Sequence, residues 1–108
     1  MPQYLLQGSD TAAAWAALVK DPKNRIEVVR PAFEALGGTI DHAWMTFGEY
    51  DVAVVSTFPD SVSAAAIGIA IAAGGAFKNA KTTPLLTLEE GVEAMTKAGQ
   101  TGYRPPGS

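Results

Sequence analysis

Apolar positions along this chain recur with two periods, close to two and close to 3.6, and the switches between them divide it into strands and helices. Gln3 to Gly8 reads as a short strand. Ser9 or Asp10 offers an N-cap for a helix over Thr11 to Lys20, with Trp15, Leu18 and Val19 on one face. Asp21-Pro22 ends that helix, because the residue before a proline is pushed out of the helical region. Ile26, Val29, Phe33 and Leu36 fall at helical spacing and predict a second helix over Lys23 to Leu36. Pro31 lies inside it, removes one backbone bond and crowds the carbonyl of Glu27, so a kink or two short helices are expected there. Gly37-Gly38 closes the segment.

Thr39 to Phe47 reads as a strand, with Ile40, His42 and Trp44 on one side and Asp41, Ala43, Met45 and Phe47 on the other. A turn at Gly48-Glu49 leads to a second strand from Tyr50 or Asp51, made β-prone by Val52, Val54 and Val55. The two form a hairpin. Pro59-Asp60-Ser61 opens a third helix over Ser61 to Ala73, whose small residues predict a helix buried against a sheet, and Gly74-Gly75 stops it. Phe77 to Leu86 is a fourth strand, with Pro84 confined to an edge or a strand end. Thr87-Leu88-Glu89-Glu90 has the spacing of a capping box and starts a last helix over Leu88 to Lys97, striped by Leu88, Val92 and Met95. One domain over residues 1–97 is expected, followed by a flexible tail over 98–108.

The resulting order, βαββαβ plus a helix, is that of a ferredoxin-like two-layer α+β sandwich with a C-terminal addition. Right-handed crossovers put the long helices on one sheet face. An antiparallel sheet with a wet second face should alternate cleanly, yet residues 39–47 and 52–55 carry apolar side chains on both sides. The second face is therefore expected to be covered. The simplest cover is another copy of the chain, giving a homodimer or higher homo-oligomer of the dimeric α+β barrel type with a cavity between its sheets.

Composition narrows the chemistry. The chain has 108 residues, 47% of them hydrophobic, enough for one core without a structural metal. Its net charge of −3 gives nucleic-acid binding no electrostatic support. The absence of cysteine excludes thiol catalysis, iron–sulfur ligation and disulfides, and it fits a reducing cytoplasm. The longest apolar run, around Ala64 to Ala76, falls short of the roughly 20 residues that cross a bilayer, so no membrane partner is expected. One histidine cannot make a zinc site, and neither glycine pair is followed by the Lys-Ser/Thr of a phosphate loop. No cofactor is implied.

His42 is the only histidine, and imidazole is the side chain best suited to proton transfer near neutrality. Beside Ile40 and Trp44 it would be one base on an apolar wall, suited to proton abstraction from an aromatic or enolisable ligand; otherwise it is a hydrogen-bonded or surface histidine. Tyr50 and Asp51 would place a donor and an acceptor at the cavity mouth, or serve the hairpin itself, with Asp51 bonding turn amides. Tyr4 and Lys81, on the first and fourth strands, join Trp44 as candidate ligand contacts, although such residues more often pair across strands or face water.

Gly48-Glu49-Tyr50-Asp51 followed by Val52-Ala53-Val54-Val55 resembles the glycine-x-tyrosine-aspartate motif of the GYD family of small bacterial proteins. The Met1-Pro2-Gln3-Tyr4 start, Gly37-Gly38 before a strand, and Lys81-Thr82-Thr83-Pro84-Leu85-Leu86-Thr87 are similar to further features of that family. The resemblance spans about residues 2–97 and implies a ferredoxin-like subunit of the dimeric α+β barrel type, with no defined activity. Three functions follow in order of preference. The first is a dimeric small-molecule binding or accessory protein with an apolar cavity. The second is a cofactor-free enzyme of monooxygenase or isomerase type using His42. The third is a structural oligomerisation module.

Overall fold

Local signals set most element boundaries. In the computed structural model, which describes residues 1–107, the order is β1 (Gln3–Asp10), α1 (Ala12–Lys20), α2 (Arg25–Ala35), β2 (Thr39–Met45), β3 (Val52–Thr57), α3 (Ser61–Ala73), β4 (Phe77–Leu85) and α4 (Leu88–Ala98). Asp60 caps α3 by accepting from the Ser63 amide at 2.8 Å, and Thr87 with Glu90 forms the reciprocal capping box of α4. Bonds from these N-terminal amides hold the Asp60 and Glu90 carboxyls below the usual carboxylate range.

Several expectations need correction. The N-cap of α1 is Thr11; Ser9 and Asp10 stay in β1, where both are buried and used for tertiary bonds. The inward residues of α1 are Ala14, Trp15 and Leu18, while Val19 is 77% exposed, because Leu18 and Val19 diverge by 100° around the helix. One helix, α2, runs through Pro31. The proline lies on its exposed side, so the Glu27 carbonyl it leaves unpaired can be solvated. The third helix is buried on one face only, through Ala64 and Ile67, and leaves Val62 and Ile69 in solvent. Residues 99–107 form no helix or strand, and Ser108, the end of the expected tail, lies outside the described residues.

The strands pair antiparallel in the order β2-β3-β1-β4. Tyr4, Leu6 and Gly8 stand opposite Ser56, Val54 and Val52 and face the helices. Gln3, Leu5 and Gln7 stand opposite Thr57, Val55 and Ala53 on the open face. Pro84 sits on β4, an edge strand whose outer side needs no donor. Phe33, Phe58 and Ile67 anchor the core, with the Phe33 and Phe58 rings 5.6 Å apart.

The alternation expected for β2 is broken by a bulge at Asp41. Ile40 pairs with Ser56, but His42, not Asp41, pairs with Val55. The extra residue reverses which side follows, so Ile40 joins Ala43 and Met45 on the helix side while His42 and Trp44 face outward. Ile40, His42 and Trp44 therefore do not form one wall. Asp41 is held by hydroxyls of Thr57 (2.6 Å) and Thr39 (2.9 Å) and by the Gln3 amide (3.3 Å).

The last helix stands apart. No residue of α4 is buried. The radius of gyration is 17.4 Å and the longest dimension 59 Å, whereas a compact chain of 100 residues has a radius of about 13 Å.

Candidate functional site

The space between the helices and the sheet is hollow. A cavity of about 800 Å³, widely open to solvent, is floored by Leu6, Gly8, Val52, Val54 and Ala80 and walled by residues of α1, α2 and α3. Ala14, Ala17 and Gly68 present small groups to it, which is why the helices do not fill the space. Its lining is mainly apolar, with Lys20, Lys23, Arg25 and Asp21 at its border. Lys23 pairs with Asp21 at 3.5 Å and Arg25 with Asp10, which leaves Lys20 as the uncompensated cation there among the described residues.

Arg25 occupies the first position of α2, after the N-cap Asn24. Its Nη1 donates to Asp10 Oδ1 at 2.5 Å, with the Asp10 side chain fully buried. The guanidinium lies 5.8 Å from the Trp15 ring centroid and 5.5 Å from that of Phe77. An edge of the Phe77 ring crowds Gly8, where a Cβ would stand 2.6 Å from its Cδ1. Glycine is required there because any side chain would displace the ring.

The hairpin loop supports this wall from behind. Gly48, at φ +135°, lets the chain turn. The Asp51 carboxylate accepts from the Asp10 main-chain amide at 2.8 Å, the Asp51 amide donates to the Gly8 carbonyl at 2.8 Å, and the Ser9 hydroxyl donates to the Glu49 carbonyl. The carboxylate thus serves the adjacent strand β1, not its own turn. The Tyr50 carbonyl accepts from the Thr46 hydroxyl at 2.8 Å. A chain of bonds runs from Asp51 through Asp10 to Arg25 at the cavity wall.

The other sequence candidates are dispersed. Tyr4 is buried in the core, its ring edge-on to Phe58 at 6.1 Å and its hydroxyl 3.2 Å from that of Ser61. His42 and Trp44 stack at 5.7 Å on the outer face of β2 and line a second cleft of about 570 Å³ together with Arg25 and Arg30. His42 is opposite Val55, four strand positions from Asp51, or roughly 13 Å along the strand. Of the candidates, Lys81 alone lies along the apolar cavity, on β4, where the register with Gln7 turns its side chain to the open face. The Thr57 hydrogen bond first, then those from Thr39 and Gln3 and the electrostatic effect of the neighbouring His42, together outweigh desolvation and hold Asp41 below the usual carboxylate range.

Sequence reasoning missed Asp10, Trp15, Arg25 and Phe77 as a group. The available signal was Gly8, a lone glycine within a strand, which marks close approach of another group. Among the described residues no cluster of histidine, cysteine and carboxylate side chains could hold a metal, and no helix is long and apolar enough to cross a membrane.

The βαββαβ order, the antiparallel sheet and helices on one face define a ferredoxin-like α+β domain. The family model described as the GYD domain matches residues 4–95, and the chain belongs to that family. No curated protein and no solved structure gives a significant match.

Proposed function

We propose that this protein is a homo-oligomeric small-molecule binding or accessory protein, cytoplasmic, which holds an apolar ligand with an anionic group in the helix-side cavity. The observation that supports it is the hollow of about 800 Å³ where a packed core would ordinarily lie. Ligand pockets of roughly 300–1,000 Å³ with mostly apolar walls and a few polar groups are the usual binding geometry. Lys20 at its border favours an anion at the ligand's exposed end. The expected cavity between two sheets is a separate matter, which depends on the oligomer.

Native mass spectrometry of the purified full chain, beside a denatured control, tests this reading. Extra mass that is lost on denaturation supports it. A chain that carries no extra mass, and gains none with medium-chain fatty acids or aromatic carboxylates, would overturn it.

A second reading is a cofactor-free enzyme acting on an aromatic or enolisable molecule. It rests on His42 stacked on Trp44 at the cleft that also holds Arg30. An identified substrate turned over equally well by His42→Ala would end it.

A further inference from the structure

We propose that α4 is an exchange arm, which lays its apolar stripe on the open sheet face of a second copy of this chain. The inference rests on the homo-oligomeric part of the reading above and names the surfaces that make it. Leu88, Val92 and Met95 fall within 60° of arc on α4, and all are exposed, Leu88 at 88%. Glu90, Glu93 and Lys97 lie on the opposite side, with Lys97 and Glu93 paired at 3.3 Å. An isolated helix shorter than about 12–15 residues is marginal in water, and α4 has 11. Its well-made cap and amphipathic pattern therefore require a surface that the rest of the same chain does not supply.

A matching surface lies on the open face of the sheet. Leu5, Ala53 and Val55 form an apolar strip on the open face, flanked by Trp44, which is 55% exposed. Lys81 stands opposite Gln7 on that face, and Glu89 borders the stripe of α4, so the charges match as well. The two surfaces are continuous within one chain: Leu85 pairs with Gln3 at the rim of the open face, and Leu86 leads from it to Leu88.

A chain cannot readily fold its own arm onto its own sheet. Only Leu86 and Thr87 connect β4 to α4, there is no glycine from Leu85 to Glu90, and the capping box sets the direction in which the helix leaves. A second copy has no such restriction. Each chain offers one arm and one acceptor face, so exchange about a twofold axis satisfies both and closes without leaving a free surface.

Light scattering on the full chain and on two variants tests this. Val92→Asp with Met95→Asp alters only exposed residues of α4, so the domain still folds, as circular dichroism will show; Val55→Lys alters the acceptor face. The expected result is a native chain at twice its 11.2 kDa mass and both variants at the single mass. A dimer that survives the α4 substitutions overturns the arm while leaving self-association intact. A dimer that survives Val55→Lys overturns the acceptor face. A native chain that is monomeric overturns both this inference and the homo-oligomeric reading beneath it. Because the chain lacks cysteine, Val92→Cys and Val55→Cys chains with different tags can be mixed and oxidised. A disulfide between the tags is expected. In the double variant, an internal disulfide at monomer mass would show the arm on its own sheet and overturn the exchange.

Discussion

Arg25 at the start of α2 is tied to Asp10 at the end of β1, with Nη1 and Oδ1 2.5 Å apart and the carboxylate fully out of solvent. Asp10 Oδ2 has no hydrogen-bond partner among the described residues, so Arg25 is the one group that compensates this charge there. The pair positions the guanidinium between Trp15 and Phe77 and so shapes the cavity wall.

Removing one member of this pair should be costly. Arg25→Met leaves the Asp10 carboxylate buried without a cation, and a loss of about 3–5 kcal/mol is expected for breaking a buried pair from one side. Replacing both, as Asp10→Leu with Arg25→Met, should cost much less, since no uncompensated charge remains. Urea unfolding at constant slope measures both. Equal losses for the single and double variants would show that the ion pair is not the determinant.

Gly8→Ala should destabilise by about 1–3 kcal/mol, because its Cβ would meet the Phe77 ring at 2.6 Å. Phe77→Ala in the same chain removes the obstacle, so the cost of Gly8→Ala should shrink in that background. A double-mutant cycle in urea gives the coupling. Additive losses would mean that the ring moves aside freely.

Ala80→Leu fills part of the helix-side cavity from the floor. Because Ala80 is itself exposed, stability should stay within about 0.5 kcal/mol, while retained ligand mass falls. A variant that binds as before would place the ligand elsewhere.

Asp41 has a depressed folded pKa, chiefly through the Thr57 hydroxyl. Its contribution to stability is therefore present above the unfolded carboxyl value, and it is lost as pH falls through the lower folded value. Thr57→Val should raise the Asp41 pKa toward its ordinary value and shift this acid loss to higher pH. Carboxyl titration by NMR reads the change directly; an Asp41 pKa that stays put would assign the depression to Thr39 and Gln3 instead.

What the sequence determined by itself was local. Asp60 before Ser61, and Thr87 with Glu90, announced their helices because a cap is completed within four residues. The strand–helix order followed from periodicity, and with chirality it left the ferredoxin-like sheet as the consistent arrangement. The glycine-x-tyrosine-aspartate run marked the family, and residues 4–95 match it. The tertiary structure decided everything that depends on distant residues. A bulge at Asp41 reversed the sides of Ile40 and His42, and strict alternation carries no sign of one extra residue. Asp10 resembled a helix cap until Arg25, 15 positions away, reached it. The cavity also belongs to this level, because its volume is set by how far three helices stand from one sheet, a distance that no single stretch of chain contains.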